Sequence, residues 1–159
     1  PWNLALGCDS VPTRKATQPE PSGAGTPRSL SKKNVLDRIH RGSSLANLDF
    51  RGADLASVCF DRCDLRNSKL AECNLSRATF RGANLTNASL WNSDCKDACF
   101  DGAILEEADM DFSNLDGCTF KDAKIRKAIF PYSQLPLQEL LDSVRTGRRV
   151  RMDSRGFDD

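Results

Sequence analysis

The stretch Ala78-Thr79-Phe80-Arg81-Gly82-Ala83-Asn84-Leu85-Thr86-Asn87-Ala88-Ser89-Leu90 repeats one arrangement three times: a small residue, a polar one, a large apolar one, then two polar residues or glycine. Followed outward, the register holds from Leu45 to Phe130. All eighteen residues at this five-residue spacing are apolar, and the residue two places earlier is Ala, Ser or Cys in sixteen of the eighteen. With 39% hydrophobic residues in the chain, chance gives such a run about once in ten million registers. Leu48 and Val58 are the two larger residues at the small position.

A period of five fits neither standard element. On an α-helix five steps turn roughly 500°, which scatters the apolar positions around the axis. On a continuous strand an odd period alternates faces. A chain that bends after each short extended piece does fit, because the small and the large residue then point inward together. One such unit cannot bury these groups alone, and stacked units can.

The segments Ala53-Asp54-Leu55, Ala83-Asn84-Leu85 and Ala108-Asp109-Met110 resemble the A-(D/N)-L-x-x signature of the pentapeptide-repeat family, over residues of about 43–130. The resemblance implies an all-β solenoid, a right-handed quadrilateral β-helix with four repeats per coil. A twenty-residue coil stacks Phe60, Phe80, Phe100 and Phe120 in one column and Leu65, Leu85, Leu105 and Ile125 in the next. Asp54, Asn74, Asp94 and Asn114 align too, and Leu55, Leu75, Cys95 and Leu115 leave one weak rung at Cys95. Just over four coils give a rod of roughly 20 Å.

Around this core the expected organisation is a disordered tail or linker over 1–30, rich in Pro, Ser, Thr and Gly. A capping helix follows over 31–42, with Ser31 as its N-cap, Leu30 and Val35 as a hydrophobic staple, and Gly42 at its end. The β-helix takes 43–132. A second helix over about 133–146 carries the stripe Leu137, Leu140, Leu141 and Val144, with Ser133 as cap, Pro136 in the first turn and Gly147 as stop. Residues 147–159 read as a mobile tail. The two helices are expected to cover the open ends of the solenoid. The chain starts at Pro1 rather than Met, as a processed product or a fragment would.

Composition narrows the function. The net charge is +1, which gives no general attraction to nucleic acid or membrane, and no apolar run is long enough to span a bilayer. Seven cysteines include no C-x-x-C pair, and His40 is the one histidine, so neither a zinc site nor a Ser-His-Asp set is expected. No cofactor is expected either. With a twenty-residue coil no two cysteines fall one coil apart in a column, so no disulfide is expected inside the solenoid, and the cytoplasm or another reducing compartment is the expected location. Cys59 and Cys99 share an outward column with Thr79 and Thr119; Cys63, Cys73 and Cys118 stand in for alanine at the small inward position.

The expected role is non-catalytic: a protein-interaction scaffold with rigid faces, whose partner is another protein or a second copy of the chain. Two surface features stand out. Trp91, Phe112, Ile129 and Tyr132 break the polar rule for outward positions. Phe112 and Tyr132, twenty apart, are expected to stack, with Trp91 one coil earlier. Either the 133–146 helix folds back over them, or they form a partner contact centred on Trp91. The second feature is an acidic band of Asp94, Asp97, Asp101, Glu106, Glu107, Asp109, Asp111 and Asp116, opposed within that stretch only by Lys96. Some bacterial members of the resembled family are acidic DNA mimics that bind topoisomerases, which makes inhibition of a DNA-binding enzyme the alternative role. Arg145, Arg148, Arg149 and Arg151 form a basic cluster without interleaved aromatics, and Arg151-Met152-Asp153-Ser154 has the look of a basophilic kinase site.

Overall fold

Each unit is organised by its corner. The N–H of the small residue donates to the carbonyl three residues back, as from Ala53 to Phe50 at 2.9 Å and from Ala103 to Phe100 at 3.0 Å. Inside this turn one residue per unit has positive φ, in all seventeen units from Asn47 (62°) to Lys127 (58°). A four-residue turn with its third residue left-handed is type II. Gly, Asn or Asp fill ten of those seventeen positions, the residue types that tolerate this region best. The computed structural model describes residues 30–152. All but the last residue of the expected N-terminal tail therefore lies outside the described residues.

Thirteen parallel single-residue bridges, from Asp49–Lys69 to Asp109–Ile129, each join residues twenty apart. One coil of the β-solenoid therefore takes four five-residue units. The amide of each large residue from Leu45 to Met110, and of each left-handed residue from Asn47 to Glu107, donates to the following coil, as Phe80 does to Cys99 (2.7 Å) and Gly82 to Asp101 (3.0 Å). The amide just before the large residue donates to the preceding coil, as Thr79 does to Val58 (3.0 Å).

One amide per unit is left over, the one just after the large residue, and it explains the recurrent Asp or Asn. The side chain two residues earlier accepts it: Asp54 from Ala56 (3.2 Å), Asn74 from Ser76 (3.1 Å), Asn84 from Thr86 (3.1 Å) and Asp109 from Asp111 (3.0 Å). Where the outward column is Cys59, Thr79, Cys99 and Thr119, the acceptor comes from the coil before instead. Asp61 takes the Arg81 amide and Asp101 the Lys121 amide, both at 2.9 Å. In these units the otherwise unpaired amide is satisfied by a side chain at a fixed offset.

The core is a set of columns. Phe60, Phe80, Phe100 and Phe120 are fully buried, with successive ring centroids at 5.0, 4.9 and 5.2 Å and interplanar angles of 7° or less. Phe130 closes the column edge-on to Phe120 at 5.8 Å. Several polar groups inside are paired along the axis, while the buried hydroxyls of Ser68 and Thr79 have no partner among the described residues. Ser93 donates to the Leu70 carbonyl and Ser113 to that of Leu90, both at 2.6 Å, and the Cys73 thiol donates to Phe50 at 2.9 Å.

At the first coil lies α1 (Lys32–His40). The Ser31 hydroxyl accepts the Asn34 amide at 3.4 Å, Val35 is fully buried, and Gly42 at φ 66° follows the Arg41 cap. At the last coil lies α2 (Leu137–Thr146). It starts later than its sequence suggests. Pro136 occupies the cap position, no side chain caps the helix, and Ser133 is left out of it; Gly147, at φ 77°, ends it. The last-coil amides have no further coil to pair with, and this segment replaces one. Phe120 N–H meets Ser143 Oγ at 3.1 Å, and Asp122 N–H meets the Val144 carbonyl at 2.9 Å.

The chain beyond Gly147 departs from the expected mobile tail as far as residue 152. Val150 is fully buried, accepts from Gly117 N–H (3.0 Å) and donates to the Cys118 carbonyl (2.8 Å). Leu115 N–H meets Met152 Sδ at 2.8 Å, and Arg149 donates to the Gly117 carbonyl at 2.8 Å and to Asp97 at 3.1 Å. Four of the amides that a further coil would have taken, those of Leu115, Gly117, Phe120 and Asp122, thus find acceptors in this segment. Residues 153–159 lie outside the described residues, and with them Ser154 of the kinase-like pattern.

A candidate interaction face

The four aromatic and aliphatic residues singled out in the sequence are on the surface. Trp91 is 39% exposed, Phe112 66%, Ile129 51% and Tyr132 53%. They gather around one corner of the C-terminal half. Ser89, Asp109 and Ile129 form the flat column through their bridges. Trp91 and Asp111 are neighbours at the turn, since the Asn92 amide donates to the Asp111 carbonyl at 2.9 Å. Phe112 holds the left-handed corner position.

Two expectations are corrected here. Phe112 does not stack on Tyr132. Its ring meets Trp91 edge-on at 5.9 Å and 67°, while Tyr132 lies against Phe130 at 6.1 Å. The cause is that the chain leaves the coil path after Phe130. The Phe112 amide, with no partner carbonyl above it, takes Asp111 Oδ1 at 3.0 Å instead. Nor does α2 cover the patch. Its buried residues, Leu140 and Ser143, are turned to the end of the core, and Val144 packs there too. The open end of the last coil, with its apolar interior and unmatched amides, claims that face of the helix. Leu137 (54%) and Leu141 (46%) are left exposed, two more apolar residues than sequence reasoning assigned to the surface.

Phe112 is strained as well as exposed. It has φ 58°, and a bulky side chain in the left-handed region costs roughly 1 kcal/mol relative to glycine or asparagine. It is the one aromatic residue among the seventeen corner positions.

The acidic band does not form a single face. Glu106 pairs with Arg126 (3.7 Å), Glu107 with Lys127 (3.4 Å) and Asp97 with Arg149 (3.1 Å). Asp101 takes a backbone amide, and Asp94 accepts from the Lys96 amide and the Asn114 side chain, each at 3.1 Å. Asp116 accepts the Met152 amide at 3.4 Å. The eight residues occur in successive units and so wind around the solenoid. Toward the N-terminal end of the rod the Arg51 guanidinium, hydrogen-bonded to Asp49, holds that carboxyl below its usual range, and Arg66 does the same to Asp64.

The cysteines offer little chemistry. Burial pushes the Cys63 and Cys73 thiols up to about 11, and raises Cys95 and Cys118 as well. A thiol held protonated is a poor nucleophile. Cys63, Cys73, Cys95, Cys99 and Cys118 are free, and Cys59 is disulfide-bonded. His40 is exposed on α1. Among the described residues no group of three or more His, Cys, Asp or Glu is placed to hold a metal ion, and no helix is long and apolar enough to cross a membrane. In the basic cluster Arg145 pairs with Asp142 at 3.5 Å and Arg149 with Asp97, while Arg148 and Arg151 are exposed.

Residues 53–130 match the family model described as pentapeptide repeat region. Among solved structures, HetL, a pentapeptide repeat protein involved in heterocyst differentiation regulation from the cyanobacterium Nostoc sp. strain PCC 7120, is 31% identical with a TM-score of 0.55. That match covers 56% of this chain and 41% of HetL, so the chain spans about two fifths of the length of HetL. A second pentapeptide repeat protein of Nostoc PCC 7120 is 27% identical with a TM-score of 0.58, over 74% of this chain and 97% of the other. Rfr23 of Cyanothece 51142 shares the fold, at 24% identity and a TM-score of 0.54 over 67% of each chain. No curated protein sequence matches the chain.

Proposed function

Starting from a solenoid that belongs, over residues 53–130, to the pentapeptide-repeat family, we propose that this chain is a non-catalytic scaffold that binds another protein. In this reading the stacked units form a right-handed, four-sided rod of about four coils, closed by α1 and by α2 with its 148–152 extension. The observation that carries the proposal is the exposed corner of Trp91 and Phe112, with Ile129 and Tyr132 beside it. An aromatic side chain held exposed in a strained backbone position is favoured by nothing in the folding of the rod. Such strain is characteristic of functional sites, and exposed aromatics are characteristic interface anchors. The alternative, an acidic DNA mimic, has less support, because the carboxylates wind around the rod and three of the eight are paired with cations.

The test is Phe112→Asn. Relief of the corner is worth roughly 1 kcal/mol, against loss of an exposed edge contact to Trp91 worth about 0.5 kcal/mol. The melting temperature is therefore expected to hold or rise slightly, while proteins captured by the parent chain from an extract of its source organism are lost. A clear fall in melting temperature, or unchanged capture, contradicts the proposal.

A further inference from the structure

The charge around the aromatic corner is unbalanced, and it is unbalanced there in particular. One corner earlier on the same coil, Glu106 and Glu107 meet Arg126 and Lys127 from the following coil. At the aromatic corner the equivalent positions hold no cation. Asp109 bridges to Ile129, and the position one coil beyond Asp111 is Pro131. Both carboxylates are half-buried. Each accepts one backbone amide, from Asp111 at 3.0 Å and from Phe112 at 3.0 Å. Among the described residues neither is in an ion pair. Two partly desolvated negative charges thus lie between Trp91 and Phe112 on one side and Ile129 on the other.

Resting on the scaffold reading, we infer that this corner receives a basic segment of another protein, with an arginine or lysine set between Asp109, Asp111 and the Trp91 ring and apolar neighbours on Phe112 and Ile129. A guanidinium suits both features at once, since it pairs with carboxylates and stacks on an aromatic face. Partial burial strengthens the pairing relative to a fully exposed site. The same carboxylates repel the phosphates of nucleic acid and of anionic lipid, which sets both surfaces aside as occupants.

The full chain is titrated against fluorescein-labelled peptides of about twelve residues, alternating Arg with Leu, Glu with Leu, or Arg with Ser, with anisotropy as the readout. The Arg–Leu peptide is expected to bind best, and salt is expected to weaken it. Asp109→Asn with Asp111→Asn keeps both amide acceptors and removes only the charge. It is expected to weaken the Arg–Leu peptide by about tenfold or more without moving the thermal melt, and Trp91→Ala is expected to weaken the same peptide. Equal binding of the Glu–Leu peptide, or unchanged affinity in the double Asn variant, overturns the cationic partner while leaving an apolar interaction face. Failure of all three peptides also overturns it, and the Phe112→Asn capture experiment then decides the scaffold reading separately. Self-association of the parent chain in sedimentation, abolished by Trp91→Ala, overturns it in favour of a second copy.

Discussion

Phe100→Ala is expected to destabilise the solenoid by about 3–5 kcal/mol. Phe100 is fully buried, with Phe80 at 4.9 Å on one side and Phe120 at 5.2 Å on the other. The backbone rungs at Phe100, donating to Thr119 at 2.8 Å and joined through Thr79–Cys99 and Cys99–Thr119, fix the coil spacing on both sides. The walls cannot collapse to fill the space, so the cavity term adds to the lost transfer energy. Chemical denaturation followed by circular dichroism measures the difference. A loss below about 1 kcal/mol would mean that the column is not a close-packed core.

Ending the chain at Tyr132 is expected to have an effect of similar size by a different route. It removes Leu135, Leu140 and Val150, all fully buried, which together stabilise by roughly 5 kcal/mol at the usual value for apolar burial. It also strips acceptors from the amides of Leu115, Gly117, Phe120 and Asp122. Those amides form a row on an open sheet edge, a template for pairing with another copy. Sedimentation is expected to show self-association with a lowered melting temperature. A monomer that melts with the parent would mean that α2 and residues 148–152 do not close the rod.

Much of this was legible in the residues, for reasons that can be named. The five-residue period and the twenty-residue columns are visible because each unit must present one large and one small group inward, with no freedom to slip. The left-handed corners left a signal that the core pattern overshadowed: Asn47, Gly52, Asn67 and Gly82 mark the turn, but Arg62, Glu72 and Arg77 occupy the same position and blur it. The role of the recurrent Asp and Asn was hidden because it is a backbone requirement, and sequence patterns report side-chain environments. The apolar signal for the docking of residues 148–152 is Val150 and Met152 alone, a two-residue alternation among arginines, too short to separate from a solvated tail. For the aromatic corner, the stripe Leu137, Leu140, Leu141 and Val144 showed that α2 buries a face. It did not show that the open end of the core would take Leu140 and Val144 and leave Leu137 and Leu141 in solvent.

The central claim, that the Trp91 and Phe112 corner is where a partner sits, is tested most directly by replacing Phe112 with the photo-crosslinking residue benzoylphenylalanine and irradiating the full chain in its source cells. Phe112 is 66% exposed, so the substitution leaves the core intact. The control places the same group at Arg81, exposed half a coil away from the corner. The expected result is one predominant crosslinked protein from position 112, joined through a segment rich in Arg or Lys, and absent from position 81. Crosslinks that are the same from both positions, or none from position 112, would contradict the claim.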